Sequence, residues 1–62
     1  MQSIMTAYTV RFYFSNGHKA KRVVLGANAE HIAEYVLKNC KMSVGSRVVV
    51  TGRGERCEVV KQ

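Results

Sequence analysis

The chain has 62 residues, of which 47% are hydrophobic and none is proline, and a formal net charge of +6. That length limits it to one domain, residues 1–62, with a thin core, because a chain this short buries only about 60% of the surface its unfolded form exposes. The hydrophobic content excludes a disordered tail, and no apolar run approaches the ~20 residues that span a bilayer.

Ten lysines and arginines stand against four acids, all glutamate: Glu30, Glu34, Glu55 and Glu58. Such a surplus favours anionic partners, nucleic acid or an acidic protein surface among them, although charge also keeps small proteins dispersed. Met1-Gln2-Ser3-Ile4-Met5 lacks the basic-then-apolar pattern of a signal peptide, so the expected compartment is the cytoplasm, with no membrane partner. Residues 1–6 precede the first regular pattern and are expected to be flexible.

Residues 8–14 alternate. Tyr8, Val10, Phe12 and Phe14 share one face, and Thr9, Arg11 and Tyr13 the other, which is the period of a half-buried strand. Asn16-Gly17 is a strong hairpin signal, and a two-residue type I′ turn there pairs Phe14 with Lys19, Phe12 with Lys21, Val10 with Val23 and Tyr8 with Leu25. Val23 and Leu25 then join the core, and the stems of Lys19 and Lys21 lie along the phenylalanines. A bulged loop would shift this register by one residue and turn strand 2 over.

Gly26 ends the second strand and Asn28 is placed to cap a helix. Ala29, Ile32, Ala33, Val36, Leu37 and Cys40 recur at helical spacing, which predicts a helix to about Lys41. Residues 47–51 read as a third strand and 56–60 as a fourth. A two-residue Arg53-Gly54 turn pairs Val50 with Cys57 and Val48 with Val59 on one face, and Thr51 with Arg56 and Val49 with Glu58 on the other.

The predicted fold is α+β, ββαββ: two antiparallel hairpins form a four-stranded antiparallel sheet with one helix on one face. The helix carries the chain back so that strands 2 and 3 run parallel and are not neighbours. Sheet orders 2-1-3-4 and 1-2-4-3 both meet that condition.

The uncovered face is then predicted to hold Thr9, Arg11, Tyr13, Ala20, Arg22, Val24, Arg47, Val49, Thr51, Arg56, Glu58 and Val60. Arg11 would lie opposite Arg22, and like charges across a ladder destabilise it unless an anion sits between them. Arginine suits bidentate phosphate contacts, and Tyr13 offers a ring for a base, although one ring is fewer than an RNA-recognition sheet uses. The expected nucleic-acid-binding residues are Arg11, Tyr13, Arg22, Arg47 and Arg56, with Lys19, Lys21 and Arg53 steering from the hairpins. The valines of the same face suit self-association.

Cys40 and Cys57 are expected to be core residues, and with His18 and His31 they show no metal-ligand spacing. Gly52 and Gly54 flank Arg53 without the helix and lysine-threonine pair of a phosphate loop, so turn geometry explains them. No nucleophile motif is present and no deep pocket is expected, so the chain is read as non-enzymatic and without a cofactor. The leading function is a small basic module that binds DNA or RNA. The alternative is a protein-interaction or inhibitor module, of an accessory or mobile-element type, that forms a homodimer or docks an acidic protein through its strands.

Overall fold

A computed structural model describes residues 5–62. Its elements in chain order are β1 (Thr6–Tyr13), β2 (Lys19–Gly26), α1 (Ala29–Asn39), β3 (Arg47–Gly52) and β4 (Glu55–Val60). The strands form one antiparallel sheet in the order β2-β1-β3-β4, and α1 crosses one face, mainly against β3 and β4. The ββαββ reading holds, and of the two permitted sheet orders the first is found. Side-chain chemistry explains the choice. Order 1-2-4-3 would place the charge-rich strands β2 and β4 in the centre, whereas the observed order puts them at the edges and sets the valine-rich β3 beside β1 in the centre.

β1 starts two residues before the alternating pattern, at Thr6. Residues 1–4 of the N-terminal segment read as flexible lie outside the described residues.

The β1–β2 register differs from the expected one by one residue. Phe12 pairs with Ala20, Val10 with Arg22 and Tyr8 with Val24, while Arg11 pairs with Lys21 and Thr9 with Val23. The cause is a three-residue loop. The Gly17 N–H donates to the Phe14 carbonyl, and the Phe14 N–H donates to the His18 carbonyl. Gly17 alone takes a positive φ, 93°, so the turn is type I followed by a glycine bulge rather than type I′. The Asn16 side chain accepts from the His18 N–H and holds this form.

The shift turns β2 over. Val23 and Leu25, expected in the core, are 69% and 65% exposed on the uncovered face. Lys19 and Lys21 join them there, while Ala20, Arg22 and Val24 turn to the helix side. The register is locked by Gly26, because a side chain at that position would collide with Ile32 of the helix. In the expected register the residues turned toward the helix would instead have been Val23 and Leu25.

The second hairpin has the predicted register throughout. Arg53 and Gly54 adopt φ of 51° and 74°, the paired positive values of a type I′ turn.

Asn28 caps α1 as expected, its Oδ1 accepting from the His31 N–H at 2.7 Å. The helix ends at Asn39, short of the predicted Lys41. Cys40 is extended (φ −99°, ψ 133°) and closes the helix with its N–H on the Val36 carbonyl. Cys40 is therefore exposed rather than part of the core, and Cys57 is only half-buried; both are free thiols.

The core consists of Tyr8, Val10 and Phe12 from β1, Val48 and Val50 from β3, and Ala29, Ile32, Ala33 and Val36 from α1, with Phe14, Val24, Met42, Cys57 and Val59 packed around it. Buried Ser46 ties this end of the sheet together, its hydroxyl accepting from the Ser15 N–H in the first hairpin loop.

Candidate nucleic-acid interface

The uncovered sheet face can be read in rows across the ladder. Lys19, Tyr13, Arg47 and Val60 form one row; Lys21, Arg11, Val49 and Glu58 the next; Val23, Thr9, Thr51 and Arg56 the third. These positions share a face because strand side chains alternate with a period of two.

Six of the eight candidate residues therefore share one surface: Arg11, Tyr13, Lys19, Lys21, Arg47 and Arg56. Lys19 and Lys21 belong to it because of the register shift, not as the core-facing stems expected from the sequence. Arg22 does not. It pairs with Val10 on the helix side and lines a shallow groove with Phe14, Cys40, Lys41 and Met42. The Arg11–Arg22 opposition is thus corrected to Arg11–Lys21. Arg53 sits on the tip of the second hairpin, where it donates to the Thr6 hydroxyl at 3.4 Å. Because β1 and β3 are antiparallel, that tip and the His18 turn lie at opposite ends of the sheet.

Charge on this face is divided unevenly. Glu58 holds Arg47 at 3.3 Å and Arg56 at 2.9 Å. The Arg11 guanidinium donates to a hydroxyl, Thr51 Oγ1, at 3.3 Å. Among the described residues no carboxylate lies in ion-pair range of Arg11, Lys19 or Lys21. A shallow depression between β1 and β2 is lined by Arg11, Tyr13, Lys19, Ala20 and Lys21. The Arg47 guanidinium stacks over the Tyr13 ring, 4.8 Å from its centroid. Tyr13 is therefore half-buried and already covered on one side, so the free stacking platform expected there is replaced by an arginine–tyrosine stack.

A second polar cluster escaped the sequence reading. The Glu55 carboxylate, at the start of β4, accepts from the Tyr8 hydroxyl at 3.1 Å and from the Ala29 N–H at 3.0 Å. It thereby caps the helix from a different strand, beside the local cap of Asn28, where the helix dipole favours negative charge. No local motif marks Glu55, since its partners are 47 and 26 residues away in the chain.

The Cys57 thiol is pushed up in pKa by burial and by the carboxylates of Glu30 and Glu34. A raised pKa leaves little thiolate, which suits packing rather than nucleophilic chemistry. Among the described residues no helix is long and apolar enough to cross a membrane.

Comparison of the chain with protein-family models, with curated proteins and with solved structures finds no match.

Proposed function

We propose that the protein is a non-catalytic module that binds nucleic acid through the uncovered sheet face, centred on Arg11, Lys19 and Lys21. One observation carries the reading: Arg11 and Lys21 stand directly opposite each other on a ladder, and among the described residues neither is held in an ion pair. Like charges so placed cost stability, and a bound phosphate turns that cost into two charge-assisted hydrogen bonds. Arg47, held over the Tyr13 ring, presents a planar cation on which an unpaired base can stack. Arg56 is tied to Glu58 and contributes least. Arg22, on the other face, is outside the interface, and Arg53 reaches only a nucleic acid that extends past the sheet.

The test is fluorescence anisotropy with single-stranded and duplex DNA and RNA across a salt series. The logarithm of affinity should fall linearly with the logarithm of salt, by about 0.7 to 0.9 per phosphate neutralised. Arg11→Glu combined with Lys21→Glu should abolish binding with the circular dichroism unchanged, while Arg22→Glu should keep most of it. Absence of binding to every nucleic acid at low salt would overturn the proposal.

A protein-interaction module is the second reading. It is favoured by the exposure of Val23 and Leu25, two large apolar side chains on the same edge strand.

A further inference from the structure

We infer that the partner for that apolar edge is a second copy of this chain, joined through β2 to give a continuous eight-stranded sheet. β2 is an edge strand of eight residues, and among the described residues no strand pairs with its outer side. The hydrogen bond from Phe14 N–H to the His18 carbonyl sets the phase of the hairpin ladder. By the alternation of an antiparallel ladder, Ala20, Arg22, Val24 and Gly26 then bond to β1, and Lys19, Lys21, Val23 and Leu25 turn their N–H and C=O groups outward. That row of unpaired groups is a template for another strand.

The sequence of β2 selects the partner. Its first half, Lys19-Ala20-Lys21-Arg22, is basic, and its second half, Val23-Val24-Leu25-Gly26, is apolar. Parallel pairing of two copies in register would stack the basic halves on each other. Antiparallel pairing centred on Val23 puts Val23 against Val23, Lys21 against Leu25, Arg22 against Val24 and Ala20 against Gly26. No two charges then face each other, the two exposed Val23 side chains meet, and lysine stems cover the leucines. Centring one residue earlier would oppose Arg22 to Arg22.

The surroundings agree. On the helix side, Tyr35 of α1 is 60% exposed and lines a groove with Val24, Leu25, Gly26 and Ile32 that the partner's strand would border. The other edge, β4, is guarded by Glu55, Arg56 and Glu58 and packs against the helix, so it offers no equivalent apolar row. A 62-residue chain with a thin core gains buried area from such an interface.

The two-fold axis would stand perpendicular to the sheet, so both helices lie on one side. The two Arg11–Lys21 patches would then lie on one continuous surface on the other side. Self-association does not require nucleic acid, and nucleic-acid binding does not require the dimer.

Sedimentation equilibrium of the full chain decides the matter. The wild type should run at twice the chain mass, with dissociation on dilution. Val23→Pro should run as a monomer: its N–H points off the sheet, so proline removes no native hydrogen bond but blocks the interface. Val23→Lys, a change at an exposed position, should do the same, which keeps the test valid if the proline variant fails to fold. A wild-type monomer at about 1 mM, where even weak association is visible, would overturn the inference. So would a dimer that persists in either folded variant. A monomer that binds nucleic acid refutes the dimer alone, and a dimer that binds none refutes the binding proposal alone.

Discussion

Glu55 carries more of the architecture than any other charged residue. Its carboxylate links β1 through the Tyr8 hydroxyl, α1 through the Ala29 N–H, and β4 through its own backbone. The Ala29 N–H holds its pKa below the ordinary carboxylate range, helped by the Tyr8 hydroxyl and nearby Arg53, and these outweigh the opposing effect of desolvation. A lowered folded pKa means stability that is present above the unfolded carboxylate value of about 4.3 and lost as pH falls through the folded value. Glu55→Gln should therefore lower the thermal midpoint at pH 7 and make the loss of stability on acidification shallower, as read by circular dichroism melts from neutral to acid pH. An acid limb identical to the wild type would mean that Glu55 bears no part of it. Burial of Tyr8 raises its own pKa, with the Glu55 hydrogen bond and charge adding to the effect, so the phenol stays protonated and remains the donor.

At the scale of elements, β2 is where local pattern and tertiary packing diverge. Its sequence accepts either facing, because apolar and basic residues occupy both of its alternating sets. The loop chemistry of Ser15-Asn16-Gly17 also permits both a two-residue and a three-residue turn. The helix decides. Ile32 needs the space that Gly26 leaves, and that puts Gly26, Val24, Arg22 and Ala20 on the helix side. Gly26→Ala should cost about 1–3 kcal/mol, since overpacking forces neighbours off their preferred positions. Urea denaturation measures it, and an unchanged midpoint would show that Ile32 yields freely. The other elements were legible in advance. α1 follows its apolar stripe and the Asn28 cap, and the second hairpin follows the valine alternation of β3 and the Arg53-Gly54 turn. The last turn of α1 is shorter than the apolar spacing predicts, because Cys40 continues that spacing while its backbone has already become extended.

At the scale of the whole molecule, charge is poorly balanced. The net charge is +6, and both ion pairs among the described residues draw on the same carboxylate, Glu58. Salt should therefore stabilise the free protein. The Debye length shrinks from about 30 Å at 0.01 M to about 8 Å at 0.15 M, which screens the repulsion between Arg11 and Lys21 and their neighbours. Calorimetry should find a higher melting temperature over that range, and Lys21→Gln should raise the low-salt value and shrink the salt effect. A melting temperature that falls with added salt would mean that attractive pairs dominate. On the proposed function, added nucleic acid should raise the melting temperature further, since a ligand that binds the folded state stabilises it; no rise would count against that proposal.

The sequence by itself determined the fold class, the element order, the register of the second hairpin and the basic character of the surface. Each of these follows from short-range periodicity, turn chemistry or composition. Only the tertiary structure decided which face each residue of β2 presents, and with it the membership of the candidate interface: Lys19 and Lys21 joined it and Arg22 left. Only the tertiary structure brought Glu55 to the helix N-terminus and Glu58 between Arg47 and Arg56. These arrangements depend on side chains from separate elements meeting, and a strand whose two sides are chemically alike carries no local signal to say which side the helix will cover.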